Sequence, residues 1–259
     1  MDRIESTSNE KIKLAVKVAT SSKHRRETGL FFLEGLRLCR DAAITGYEIV
    51  CTFVSENALQ RLGEELNVIL SSSKQSFVIS HSVEQKITQA QTPQGIFCLC
   101  KKHETEHEFN FSGKYIALEN VQDPANFGAI CRTAEALGIN GAITYGCCDL
   151  YNPKTQRAAM GSALRLPIIE TENLKSTLLS LSENGMKLYA TTPRSDAEKI
   201  TDVDFSGGAV AVIGNEGNGV SDEIFAVCEK ITIPMGGRAE SLNASMAAAI
   251  TMWEMMRNG

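Results

Sequence analysis

The stretch AVIGNEGNGVSDE, residues 211–223, decides the fold. It begins inside an apolar run, AVAVIG (209–214), which opens into a loop holding Gly214, Gly217 and Gly219. A helix follows, with Ser221 suited to cap it. A run that is apolar at every position fits a strand covered by helices on both faces, and so a parallel α/β sheet. In such sheets ligands collect beyond the carboxyl ends of the strands, and glycines let backbone approach them closely. The G-x-G-x-x-G order of a dinucleotide loop is absent, and this loop comes late in the chain instead of in the first βα unit. That argues against an NAD-dependent dehydrogenase. A ligand-approach loop and a mere tight turn both remain open for this segment alone.

Two further segments have the same form. Downstream, ITIPMGGRAESLNASMAAAI (231–250) ends a strand at Pro234, passes through a Gly-rich loop and enters a last helix spanning 242–257. Ala244, Ala247 and Ala248 lie at helical spacing, so this helix can pack close to another backbone. Ser241 and Asn243 suit helix capping as well as a site. Upstream, ENVQDPANFGAICRTAEALG (119–138) ends a strand at Val121 and starts a helix near Asn126, itself a good cap. Arg132, six residues on, is in reach of the same side of the sheet, although a solvated or ion-paired arginine explains it too. Three Gly- or Asn-bearing strand ends in one sheet converge on one crevice, and that convergence points to a site.

Around these segments the βα rhythm runs from residue 115: strands 115–121, 141–145, a short LPIIE, 186–192, 209–214 and 230–234, and helices 126–137, 153–164, 173–184, 220–228 and 242–257. Ahead lies a smaller α/β unit, with helices 9–19, 34–45, 57–65 and 82–90 and strands 30–33, 47–54, 76–80 and 95–100. Between helix 9–19 and strand 30–33, SSKHRRETG reads as a polar, basic loop. The polar tract KKHETEHEFNFSGK (101–114) has no clean period, and the division is set there, giving domains 1–105 and 106–259.

The bulk numbers fit this organisation. A chain of 259 residues suits two domains, and 43% hydrophobic with 22% charged residues excludes global disorder. No run approaches the roughly 18 apolar residues of a membrane span. The polar N-terminus lacks a signal-peptide core, so a cytoplasmic location is expected. A net charge of −5 is not that of a nonspecific nucleic-acid coat, yet residues 1–40 carry an excess of basic side chains, so any RNA contact is expected to be local to them. Eight cysteines and four histidines fall into no zinc spacing; reduced thiols and no metal are the expectation.

In order and wording, the three segments resemble the motifs of the SpoU/TrmH family of ribose methyltransferases, within the knotted SPOUT superfamily. The first resembles N-x-x-x-x-x-R (Asn126, Arg132), the second G-N-E-x-x-G (Gly214, Asn215, Glu216, Gly219), and the third I-P-M-x-G…S-L-N-x-S (Ile233 to Met235, Gly237, Ser241 to Asn243, Ser245). Ala244 stands where the family often has Val. The resemblance covers about 114–257. The front half resembles, through shorter matches, the substrate-binding domain ahead of many members: KHRR, then FLEGLR (Phe32 to Arg37) and TPQGI (Thr92 to Ile96).

The resemblance implies a small N-terminal α/β RNA-binding domain followed by an open, mostly parallel α/β sheet with a C-terminal trefoil knot. It implies S-adenosylmethionine as cofactor, held by Thr192, Gly214, Asn215, Gly219, Ile233, Met235 and Leu242, and no metal. Asn126, Arg132, Glu216, Ser241 and Asn243 become the catalytic set, and Lys23, Arg25, Arg26 and Arg37 the RNA-binding one. In the family Arg132 would assist deprotonation of a ribose 2′-hydroxyl. A guanidinium with a pKa above about 12 is a poor base, so phosphate binding and alkoxide stabilisation are an equally physical role. A homodimer is implied, with Trp253 and Met256 as contact candidates, although ordinary core packing explains these two nearly as well. The RNA is expected to be ribosomal, ahead of a transfer RNA; the remaining alternative is a non-catalytic RNA-binding assembly factor.

Overall fold

In the computed structural model, which describes residues 1–103, 108–194 and 196–257, the apolar runs pair into two sheets. The division expected at 105/106 falls among residues 104–107, outside the described ones.

The first compact unit takes Met1–Thr105 together with Asp149–Leu164. Its front part runs β1 (Asp2–Ile4), α1 (Glu10–Thr20), α2 (Ser22–Thr28), β2 (Leu30–Glu34), α3 (Leu36–Ile44), β3 (Ile49–Ser55), α4 (Glu56–Leu62), α5 (Asn67–Ser72), β4 (Ser76–Ile79), α6 (His81–Ile87) and β5 (Ile96–Lys101). The strands order as β1-β4-β3-β5-β2, with β2 and β5 antiparallel and β4 parallel to both neighbours. Each face of this sheet carries its own core. Phe32, Phe53, Phe77 and Phe97 belong to one, and Phe31, Leu33, Val54 and Ile96 to the other.

Three of these elements depart from the sequence reading, α5 among them because no helix was expected between 65 and 76. β1 was not expected, and SSKHRRETG is the helix α2, not a loop. Its ends carry ordinary signals: the Ser21 side chain accepts from the His24 amide at 3.4 Å, and Gly29 closes it at φ 64° in the left-handed region.

The second unit takes Glu106–Cys148 and Arg165–Gly259. Its elements are β6 (Lys114–Glu119), α7 (Pro124–Leu137), β7 (Gly141–Tyr145), β8 (Ile168–Glu170), α9 (Leu174–Glu183), β9 (Lys187–Thr191), β10 (Glu198–Lys199), β11 (Ala209–Ile213), α10 (Asp222–Phe225), β12 (Glu229–Thr232) and α11 (Ala244–Arg257); α8 (Pro153–Ala159) belongs to the first unit. All seven strands are parallel, ordered β10-β12-β9-β11-β6-β7-β8. From β6 the chain builds outward through β7 and β8, then returns to place β9 and β11 on the other side. The seam between β6 and β11 is therefore the topological switch point, where open α/β sheets bind ligands. After β12 the chain comes back across the sheet, and α11 packs against α7, β11 and β6.

Helix boundaries move for local reasons. α7 starts at Pro124 with Asp123 as its cap, so Asn126 lies inside the first turn and is released from capping. α8 stops at Ala159, five residues short of the expected 164, because Met160 and Gly161 take left-handed conformations at φ 52° and 90°. α11 begins at Ala244 instead of 242.

The segment 149–164 is fastened into the first unit by an ion pair between a buried arginine and a half-buried aspartate. Arg25, 3% exposed, donates Nε to the Asp149 carboxylate at 2.6 Å and Nη1 to the Val18 and Ala19 carbonyls at 2.7 and 3.2 Å. Tyr151 sets its ring 4.6 Å from that of Phe31, and Leu164 joins the same core.

Candidate active site

Beyond the carboxyl ends of β9, β11 and β12 lies a cavity of about 350 Å³. Thr192 follows β9, Gly214, Asn215 and Gly219 follow β11, and Ile233, Met235 and Leu242 follow β12; all seven expected cofactor residues line it, as do Glu216 and Ser241. Pro193, Phe225 and Ala247 also line it, and the sequence carried no signal for them beyond their neighbours.

The loop between β11 and α10 is a built wall. Asn215 and Gly219 exchange backbone hydrogen bonds at 3.0 and 2.9 Å, and the Asn215 Oδ1 accepts the Gly217 and Asn218 amides at 2.9 and 3.1 Å. Gly219 sits at φ 70°. A methyl group on Gly214 would overlap the backbone of Gly219 and Val220, so the close return of this loop requires glycine there.

At its rim the three motif segments are joined by one chain of polar groups. The Glu216 carboxylate accepts the Gln122 and Asp123 amides at 3.2 and 3.1 Å and the Asn126 Nδ2 at 3.1 Å. Asn126 in turn accepts, on Oδ1, the Nδ2 of Asn243 at 3.0 Å. The Oδ1 of Asn243 takes the Ser245 amide and hydroxyl at 2.9 and 2.6 Å, which caps α11. Asn243 thus caps α11 and joins the polar chain at once. Burial pushes the Glu216 carboxyl up, but the hydrogen bonds from Asn126 and the loop amides outweigh it and hold it below the ordinary glutamate value. A carboxylate so occupied is a clamp held ionised, not a proton carrier.

Asn126 is buried, whereas Arg132 is exposed on α7 and makes no hydrogen bond or ion pair among the described residues. Neither Arg132, Asn126 nor Asn243 lines the cavity itself. Burial lifts the Cys147 thiol to about 11, so it stays neutral near pH 7 and is no nucleophile. The eight cysteines are all free thiols.

In the first unit the expected RNA-binding quartet divides. Arg26 and Arg37 are exposed, and Lys23 is exposed but 3.8 Å from Glu27. Arg25 leaves the set: its guanidinium is consumed by Asp149 and two carbonyls, a structural use that charge counting could not distinguish from a binding one.

Residues 113–253 match the model of the SpoU rRNA Methylase family, and 9–98 that of an MRM3-like substrate binding domain. The chain is 31% identical over 257 residues, 98% of its length and 99% of the relative's, to 23S rRNA (guanosine(2553)-2′-O)-methyltransferase RlmP of Bacillus subtilis. An AdoMet-bound rRNA methyltransferase from Sinorhizobium meliloti superposes with a TM-score of 0.88 at 27% identity, covering 99% of this chain and 98% of that one. The SpoU methyltransferase AviRb of Streptomyces viridochromogenes shares the fold, with a TM-score of 0.86 at 22% identity and 96% and 98% coverage.

Fold, cavity and matches define the class: an RNA methyltransferase with the SPOUT architecture, whose C-terminal region carries a trefoil knot. The chain belongs to the SpoU rRNA methylase family.

Proposed function

We propose that this protein transfers a methyl group from S-adenosylmethionine to a ribose 2′-hydroxyl of ribosomal RNA, as a cytoplasmic homodimer. The observation that carries the reading is the polar chain Glu216–Asn126–Asn243, which ties all three motif segments together beside a glycine-walled cavity. The cavity suits the cofactor: its volume of about 350 Å³ falls in the range of small-molecule sites. The loop glycines leave backbone open to a ligand, while Ile233, Met235 and Leu242 offer apolar surface. No helix among the described residues is long and apolar enough to cross a membrane.

When bound, the cofactor supplies a methyl group already made electrophilic by its sulfonium. The chain's own residues then have to hold the ribose and favour loss of the 2′-hydroxyl proton. Arg132 has no partner to give up among the described residues, so its guanidinium is available to bind an RNA phosphate and to stabilise the developing alkoxide. Asn126 and Asn243 fix the ground on which the ribose rests. Arg26 and Arg37 meet the RNA backbone, with Lys23 beside them.

A second copy of the chain is supported by a row of exposed apolar side chains: Met246, Ile250 and Trp253, at 55%, 38% and 55% exposure, repeat at three to four residues along α11. Met256, the other expected contact, is half-buried.

The test is alkaline-hydrolysis mapping of ribosomal RNA from cells with and without the protein. A 2′-O-methylated ribose resists cleavage, so one position is protected only when the protein is present. Equal ladders from both strains overturn the reading.

A further inference from the structure

Glu119 ends β6 at the switch point and is only 4% exposed. A carboxylate that deep is costly unless it is hydrogen-bonded, and an apolar side chain would fill a strand end more cheaply. Its one side-chain hydrogen bond among the described residues runs to the far side of the seam: the Ser221 amide donates to Oε2 at 2.8 Å. Ser221 caps α10 and closes the loop that walls the cavity.

This contact is one of three pins from the same stretch of chain. Asn120, held at φ 56° by a hydrogen bond from its amide to the Tyr145 carbonyl, offers its own carbonyl to the Asn215 Nδ2 at 2.8 Å. Gln122 and Asp123 give their amides to Glu216. The loop is therefore held at its entry by Asn120, at its tip through Glu216 and at its exit by Glu119. Each carboxylate reaches across the seam from one side to amides on the other.

We propose that Glu119 is a positioning residue for the cofactor. Its carboxylate locks the exit of the Gly214–Val220 loop, and so fixes the backbone surface the cofactor meets. This rests on the reading of the cavity as the S-adenosylmethionine site. Glu119 touches neither cofactor nor RNA in this role; it acts through the Ser221 amide.

The experiment pairs Glu119→Ala with Glu119→Gln, whose amide oxygen can still accept the Ser221 N–H. Calorimetric titration with S-adenosylmethionine is expected to show Glu119→Ala weakened about tenfold, the worth of one charge-assisted hydrogen bond, and Glu119→Gln within roughly twofold of the parent. The KM for RNA should not move in either. Hydrogen exchange on the cofactor-free proteins should show the amides of 214–221 opening faster in Glu119→Ala alone. Should Glu119→Ala not fold, Ser221→Pro serves instead. It deletes the donor at a φ of −71° that suits proline, with Ser221→Ala controlling for the lost hydroxyl cap, and the same weakening is expected of the proline variant only. Unchanged affinity and unchanged loop exchange in a folded variant lacking this hydrogen bond overturn the proposal. Failure of the parent protein to bind S-adenosylmethionine would instead overturn the cofactor reading, and the exchange data would still decide whether Glu119 locks the loop.

Discussion

The two units use polar side chains in opposite ways. In the first, a charged pair is spent on architecture: Arg25 and Asp149 lock the segment 149–164 into a unit whose sheet already has an apolar core on each face. In the second, the polar network gathers at strand ends, where Glu119, Glu216, Asn126 and Asn243 connect loops and leave a cavity beside them. The lesson is that a charge in a basic stretch says little about binding until its partners are known. Polar residues at the carboxyl ends of parallel strands point to function from their place in the fold alone.

The sharpest way to break that contrast is Arg25→Ala. Removing the buried arginine leaves the half-buried Asp149 carboxylate and two carbonyls without their donor, so urea unfolding should lose about 3 kcal/mol. S-adenosylmethionine titration should be unchanged at a temperature where the variant is folded. A loss under about 1 kcal/mol would make the pair an ordinary surface contact. On the other side of the comparison, Arg132→Ala should lower single-turnover methylation by about 10²–10³-fold, as when one charge-stabilising donor is removed, with cofactor affinity intact. Weakened cofactor binding in that variant would place the guanidinium in the wrong role.

Gly214→Ala tests the wall itself. Overpacking against backbone costs typically about 1–3 kcal/mol, so cofactor affinity should fall roughly tenfold or more while the first unit's unfolding is unaffected. The smallest effects belong to the exposed arginines. Arg26→Ala and Arg37→Ala should each reduce the slope of log affinity against log salt for RNA by about 0.7–0.9, one phosphate contact apiece. A variant with the full slope removes that side chain from the RNA surface.

Much of the second unit was legible because its signals are local. AVAVIG is apolar throughout and pairs as a central strand; the second and third motif segments line one cavity, while the first is tied to them by hydrogen bonds without lining it. What was missed depended on contacts far apart in sequence. Asp149 and Arg25 are 124 residues apart, and no periodicity announces that 149–164 joins the first unit. Glu119 reads as an unremarkable end of a strand until Ser221, 102 residues later, is seen to bond to it. Other misses had signals that composition masked. The Ser21 cap and Gly29 stop of α2 bracket a segment too polar to read as a helix, and Asp123-Pro124 is a regular helix start that the more prominent Asn126 displaced.

The central claim is methyl transfer to a ribose oxygen. It is tested most directly by incubating the purified protein with unmodified 23S ribosomal RNA and methyl-labelled S-adenosylmethionine, then digesting the product to nucleosides. The account predicts label in a single 2′-O-methylnucleoside, absent with Arg132→Ala. Label on a base, or none in the RNA at all, would contradict it.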